Sequence, residues 1–167
     1  MAAGSTYTPI ATNTLGSSAA TVTFSSISGS YTDLFIVANA ISSTTANYEL
    51  TFNGDSGSNY SRTFIQGSGS AASSSRSSNQ TFIRCDQGGN LVTGTWGSPL
   101  LVNVMNYSNS TTNKTVMTRS DGANAGGTGL VVALWRNTAA ITSLTFACSG
   151  ATFSTGSIFT LYGIAAA

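Results

Sequence analysis

Apolar residues recur at every second position along much of this chain, and the positions between them are largely threonine. Val22 and Phe24 alternate with Thr21 and Thr23, and Tyr48, Leu50 and Phe52 alternate with Glu49, Thr51 and Asn53. Leu100, Val102 and Val104 form one face of a longer run, and Leu144 and Phe146 repeat the pattern near the end. Successive side chains of a β-strand point to opposite faces, so a period of two puts one set on a core and the other in solvent. Threonine is β-branched and suits the wet side of a pleated surface. No segment sustains a 3.6-residue period, and Glu and Lys occur once each.

The pattern marks about ten strands, near residues 7–15, 20–27, 32–41, 48–53, 60–66, 80–86, 100–107, 114–119, 129–136, 141–148 and 157–164, the first of which could equally be an extended arm. Gly, Asn and Ser clusters separate them, and Asn53-Gly54-Asp55 and Asp121-Gly122 are turn formers that tolerate positive φ. Many short strands at even spacing predict an all-β fold: an antiparallel β-sandwich, jelly-roll-like, with a partly open barrel as the other choice. Parallel α/β architecture would need crossover helices, which the pattern does not offer. Leu34-Phe35-Ile36-Val37 is wholly apolar and reads as a central strand covered on both faces; residues 130–135 read as a buried strand. Residues 66–79 are Ser- and Gly-rich and read as an exposed connection. The expected organisation is an N-terminal arm over residues 1–15 and one sandwich domain over 16–167. An arm costs entropy to order and needs something to lie on, plausibly the open sheet edge of another chain.

Charge then limits the chemistry. Only 7% of the 167 residues are charged, against about 25% in an ordinary soluble domain. Six Lys+Arg face five Asp+Glu, for a net charge of +1, and there is no histidine. Scattered cations speak against a nucleic-acid surface, which needs clustered Lys and Arg. Acid–base catalysis by histidine is impossible. A Ser–Lys pair would have to use Lys114, and a glycosidase pair would have to come from Asp33, Glu49, Asp55, Asp86 and Asp121. Neither is favoured, and the chain is read as not an enzyme. The loop 53–59 has oxygen groups at alternate positions but one carboxylate and no closing Glu, so it reads as a hairpin turn rather than a calcium site. No metal or cofactor is expected. Cys85 and Cys148 permit one disulfide, but without CxxC spacing they read as buried free thiols. The start lacks the charged and apolar regions of a Sec-type signal, and no apolar run reaches the ~18 residues of a membrane helix.

What remains is adhesion. Ser and Thr make up 52 residues, and a neutral, hydroxyl-rich surface does not repel copies of itself. Homo-oligomerisation is therefore expected, with a trimer as the guess. Tyr7 and Ile10 in the arm, and Tyr60 and Trp96 at strand ends or in loops, are the candidate interface residues. Exposed aromatics could instead stack on sugar rings.

Three stretches together carry a resemblance. They are Thr14-Leu15-Gly16-Ser17-Ser18 running through Val22-Thr23-Phe24 to Tyr31-Thr32-Asp33-Leu34; Phe52-Asn53-Gly54-Asp55 with Asn59-Tyr60-Ser61; and Trp135-Arg136-Asn137-Thr138 through Leu144 to Phe153 and Leu161-Tyr162-Gly163-Ile164. The chain resembles, over nearly its whole length, a family of small virion structural proteins of tailed bacteriophages. That resemblance implies a structural role in the virion, assembled in the host cytoplasm, and transfers no catalytic residue. A short chain without fibre shaft or heptads fits a capsid decoration or cement protein, whose partner would be the major capsid protein. The alternative is a tail-fibre, tailspike or baseplate module that binds host glycans.

Overall fold

A computed structural model describes residues 6–86, 91, 93, 97–122 and 127–165. Among them there is no helix. Twelve strands form: β1 (Tyr7–Thr14), β2 (Thr21–Phe24), β3 (Asp33–Ala40), β4 (Tyr48–Phe52), β5 (Tyr60–Gly67), β6 (Ala72–Gln80), β7 (Ile83–Arg84), β8 (Ser98–Val104), β9 (Lys114–Gly122), β10 (Gly127–Trp135), β11 (Leu144–Cys148) and β12 (Ile158–Ile164). They make two antiparallel sheets, a large one in the order β1-β12-β3-β8-β9-β10-β5-β6 and a small one in the order β2-β11-β4-β7.

One core lies between the sheets. Leu34, Ile36, Leu100, Val102 and Leu161 of the large sheet and Leu50, Phe52, Leu144 and Phe146 of the small one are all fully buried. The two layers meet through aromatic contacts such as Phe146 with Phe159 and Phe52 with Trp135, each pair 5.5 Å between ring centres. The chain passes between sheets at β1–β2, β2–β3, β3–β4, β4–β5, β6–β7, β7–β8, β10–β11 and β11–β12. Two hairpins, β5–β6 and β9–β10, interrupt this alternation. They pair with each other through β5 and β10, and with β8 through β9, so the large sheet has eight strands against four.

One segment takes one of its two readings and another differs from the sequence reading. Residues 7–15, read as a strand or an extended arm, hold the edge strand β1, whose residues pair antiparallel with β12 of the same chain, from Tyr7↔Ile164 to Thr14↔Ile158 with a bulge at Pro9/Ala11. Alternation along it is weak because an edge strand buries little. The Ser-rich stretch read as an exposed connection contains β6, paired with β5 from Arg62↔Ser77 to Gly67↔Ala72. A turn closed by Ser68 N–H on Ala71 C=O, with Gly69 at φ +88°, makes this hairpin. Main-chain bonds hold β6, while its side chains bury almost nothing on either face, so no apolar period marks it.

The apolar runs are also covered differently from what their composition implies. In β3, Leu34 and Ile36 are buried, but Phe35 is half-exposed and Val37 is exposed. In β10, Val131, Ala133 and Trp135 are buried, whereas Leu130 and Val132 are exposed. Among the described residues, these strands are fully covered on one face only.

A close approach fixes one glycine at the β12 end. A Cβ on Gly163 would lie 2.3–2.5 Å from the Tyr31 ring carbons, which pack over its backbone. Gly163→Ala must displace that ring, and it is expected to destabilise the fold by about 1–3 kcal/mol, as overpacking does. A lowered urea midpoint with unchanged slope checks it; an unshifted midpoint would show that the ring moves freely.

Candidate interaction surface

The few chemistry-bearing side chains are held by the fold itself. In the 53–59 loop, Asp55 Oδ2 accepts hydrogen bonds from Trp135 Nε1–H at 2.6 Å and from Asn59 Nδ2 at 2.9 Å, and Oδ1 accepts from the Gly57 N–H at 2.8 Å. The Trp135 N–H, followed by Asn59 and Gly57, holds the Asp55 carboxyl below its ordinary pKa despite partial desolvation. The loop is closed on itself as a hairpin connection. Lys114 is fully buried, and its ammonium donates to the carbonyls of Thr112 at 2.7 Å and Thr138 at 3.0 Å. Burial lowers its pKa.

Asp86 is the buried carboxylate. Oδ1 accepts the Tyr48 N–H at 3.1 Å, and Oδ2 has no partner among the described residues. Desolvation pushes its pKa up to about 7, against the opposing pull of the Tyr48 N–H and of Arg84 and Arg62. Arg62 lies half-buried over the Phe64 ring and donates to the Asp86 and Arg84 carbonyls. Cys85 and Cys148 are buried free thiols, both raised in pKa chiefly by burial. Among the described residues, no three His, Cys, Asp or Glu side chains gather as metal ligands would. No helix there is long and apolar enough to cross a membrane.

The outward faces of the two sheets differ. That of the small sheet is a hydroxyl surface: Thr23, Thr145 and Thr51 lie side by side, and Thr23 and Thr145 share a 2.9 Å hydrogen bond. That of the large sheet is apolar at its centre. One cross-strand row reads Ile65, Leu130, Arg119, Leu101, Val37 from β5 to β3. The next reads Thr63, Val132, Met117, Asn103, Phe35, Tyr162 from β5 to β12. Ile65, Leu130, Val132 and Met117 are 46–55% exposed, and they adjoin one another. Scattered single exposed apolar residues are ordinary; a contiguous group marks a binding surface. Arg119 and Asp121 beside it form a 3.3 Å ion pair. At the β5–β6 corner a groove of about 710 Å³ opens among Ile65, Gly67, Ala72 and Leu130.

Of the residues expected at an interface, two reach the surface. Tyr7 is half-exposed and meets Phe35 and Tyr162 edge-on at 5.7 and 6.4 Å between ring centres. This places it on the same outer face. Ile10 is partly buried and lines a shallow groove with Thr23, Phe24 and Leu161, between the sheets rather than on the apolar face. Tyr60 is corrected: it is fully buried, stacked on Trp135 at 6.3 Å and 15°, and its hydroxyl donates to Asp55 C=O and accepts from the Phe52 N–H. A tyrosine at a strand start can turn inward when a neighbouring loop satisfies its hydroxyl. Trp96 lies outside the described residues. The missed residues are Ile65, Met117, Leu130 and Val132. For Leu130 and Val132 the signal was the break in alternation: in residues 130–135 both parities are apolar, and among the described residues only one parity is buried.

A scan against protein-family models finds no match, and a search of curated proteins finds none either.

Proposed function

We propose that the chain is a structural protein of a bacteriophage virion, most naturally a capsid decoration or cement protein that works by adhesion. The observation that carries this reading is the outer face of the large sheet, which is apolar, nearly chargeless and built on rigid strands. Such a face binds by shape and burial, with little steering or salt dependence. Strand order supports the jelly-roll-like form: β1-β12-β3-β8 and β2-β11-β4-β7 are two four-stranded sets between which the chain alternates, with two hairpins added. The resemblance to small virion structural proteins supports the setting. The major capsid protein is the expected partner, and a modest contact repeated over a shell would resist internal pressure through its number of copies.

Exposed Tyr7, set edge-on against the partly buried Phe35 and Tyr162, favours a second reading, a tail module that stacks on host glycans. One experiment separates the two. Quantitative mass spectrometry of purified virions, with heat challenge of particles that lack the protein, should give many copies per particle and a lower temperature of genome release. A few copies confined to the tail would favour glycan recognition, and absence from virions would end both readings.

A further inference from the structure

We infer that the outer face of the large sheet is a self-association surface, on which two copies of this chain pack face to face about a two-fold axis. The inference rests on the reading of this face as adhesive and names its occupant. Strand composition argues for a covering layer. Strands buried on both faces carry continuous apolar runs, whereas strands with one wet face alternate. Here β2, β4 and β11 alternate, while Leu34-Phe35-Ile36-Val37, Leu100-Leu101-Val102 and residues 130–135 do not. All three runs belong to the large sheet, and among the described residues nothing lies over Ile65, Leu130, Val132 and Met117 on their second face.

Size and charge point to a second copy. The seven strands from β5 to β1 have seven to nine residues each. At ~4.8 Å between strands and ~3.3 Å per residue they present about 30 by 25 Å, or about 750 Å², close to the roughly 800 Å² that each partner gives a stable interface. The charged residues on and beside this face are Arg119 and Asp121, side chains 59% and 32% exposed and paired with each other near the end of β9, with Asp33 at the start of β3 and Arg76 on β6, two of each sign. Packing the face against itself therefore buries no net charge. With the axis near that pair, each guanidinium meets the other copy's carboxylate, a self-complementary arrangement. Sheets so packed keep the ~10 Å separation of an ordinary sandwich, and apolar side chains fill the corner groove beside Ile65 and Leu130. A self-complementary face predicts a pair, in place of the trimer expected from sequence.

The test is light-scattering mass on the purified chain at about 50 µM. The expected mass is twice that of the 17.0 kDa chain. Leu130→Asp with Val132→Asp should halve it while the far-UV spectrum stays that of a β-sheet. If that variant fails to fold, the milder Leu130→Gln with Val132→Thr should raise the dissociation constant at least tenfold. Ser75→Lys, on the open β6 edge, and Thr23→Asp, on the small sheet's outer face, should leave the mass unchanged. A monomeric or trimeric wild type, a pair that survives both apolar-face variants, or dissociation by Ser75→Lys overturns the proposal. Virion content is read independently: a monomer abundant on particles sinks the pairing alone, and a pair absent from particles sinks the virion reading alone.

Discussion

Trp135→Ala is expected to remove about 3–5 kcal/mol of folding stability, the range for deleting a large buried aromatic. For a domain whose whole stability is about 5–15 kcal/mol, that lowers the melting temperature by roughly 6–20 °C. The size follows from how many elements meet at this ring. Trp135 at the end of β10 lies 5.5 Å from Phe52 on β4 and stacks on Tyr60 at the start of β5. Its indole N–H also holds the Asp55 carboxylate. Truncation therefore opens a cavity between the sheets and leaves an ionised group short of a donor. Trp135→Phe should keep much of the ring packing and lose the bond, at about 1.5–3 kcal/mol for the bond alone. Asp55→Asn should cost a similar amount, and the double variant Trp135→Phe with Asp55→Asn should cost less than the sum, because both remove one interaction. Denaturation midpoints of the four chains decide it; strict additivity would mean that the bond contributes nothing.

Stability is expected to fall as pH rises from about 4 to about 7, opposite to the usual acid sensitivity. The cause is Asp86. Its carboxyl titrates near 7 in the folded chain, whereas an exposed aspartate titrates near 4. Between those values the folded state holds a proton that the unfolded state has released, so unfolding gains as pH rises, by about 1.4 kcal/mol per unit. Over the window the loss is on the order of 4 kcal/mol, and above pH 7 both states are ionised and the slope vanishes. The groups facing Asp86 are Arg62 and Arg84, which favour its charge, and Tyr48 and Cys85, which stay neutral in this range. Glu49, itself raised by burial, shares this neighbourhood through Cys85. Asp55 acts in the opposite sense and lower down: its depressed pKa gives stability that is present above about pH 4 and lost as pH falls below it. Urea midpoints at pH 4.5, 6 and 8 should decline in the wild type and decline much less in Asp86→Asn, which keeps an acceptor for the Tyr48 N–H while Glu49 still contributes. A rising wild-type profile would contradict the assignment.

The fold class was legible because alternation is a local signal with a global cause. Where a strand has one dry face, as Tyr48–Phe52 does, the sequence records it in every second residue. The same logic hid β6: with no dry face, a serine strand and a serine loop look alike. It also misplaced Tyr60, because parity and position at a strand start do not reveal that the Asp55 carbonyl and the Phe52 N–H are waiting for its hydroxyl. The surface residues were the least legible. Leu130 and Val132 look like core because apolar side chains are counted inside by default, and only the absence of a second layer among the described residues shows otherwise. Asp86 gave no sign at all; its burial depends on Tyr48, 38 positions away.

Lys114, sealed between the Thr112 and Thr138 carbonyls, is the sole lysine of the 167 residues. Reagents that seek side-chain amines, such as activated-ester dyes, aldehyde fixatives and the common bifunctional linkers, therefore meet no accessible target on the folded strands. A covalent map of the neighbours that the folded strands touch is therefore better drawn through carboxylates or the five arginines than through lysine side chains.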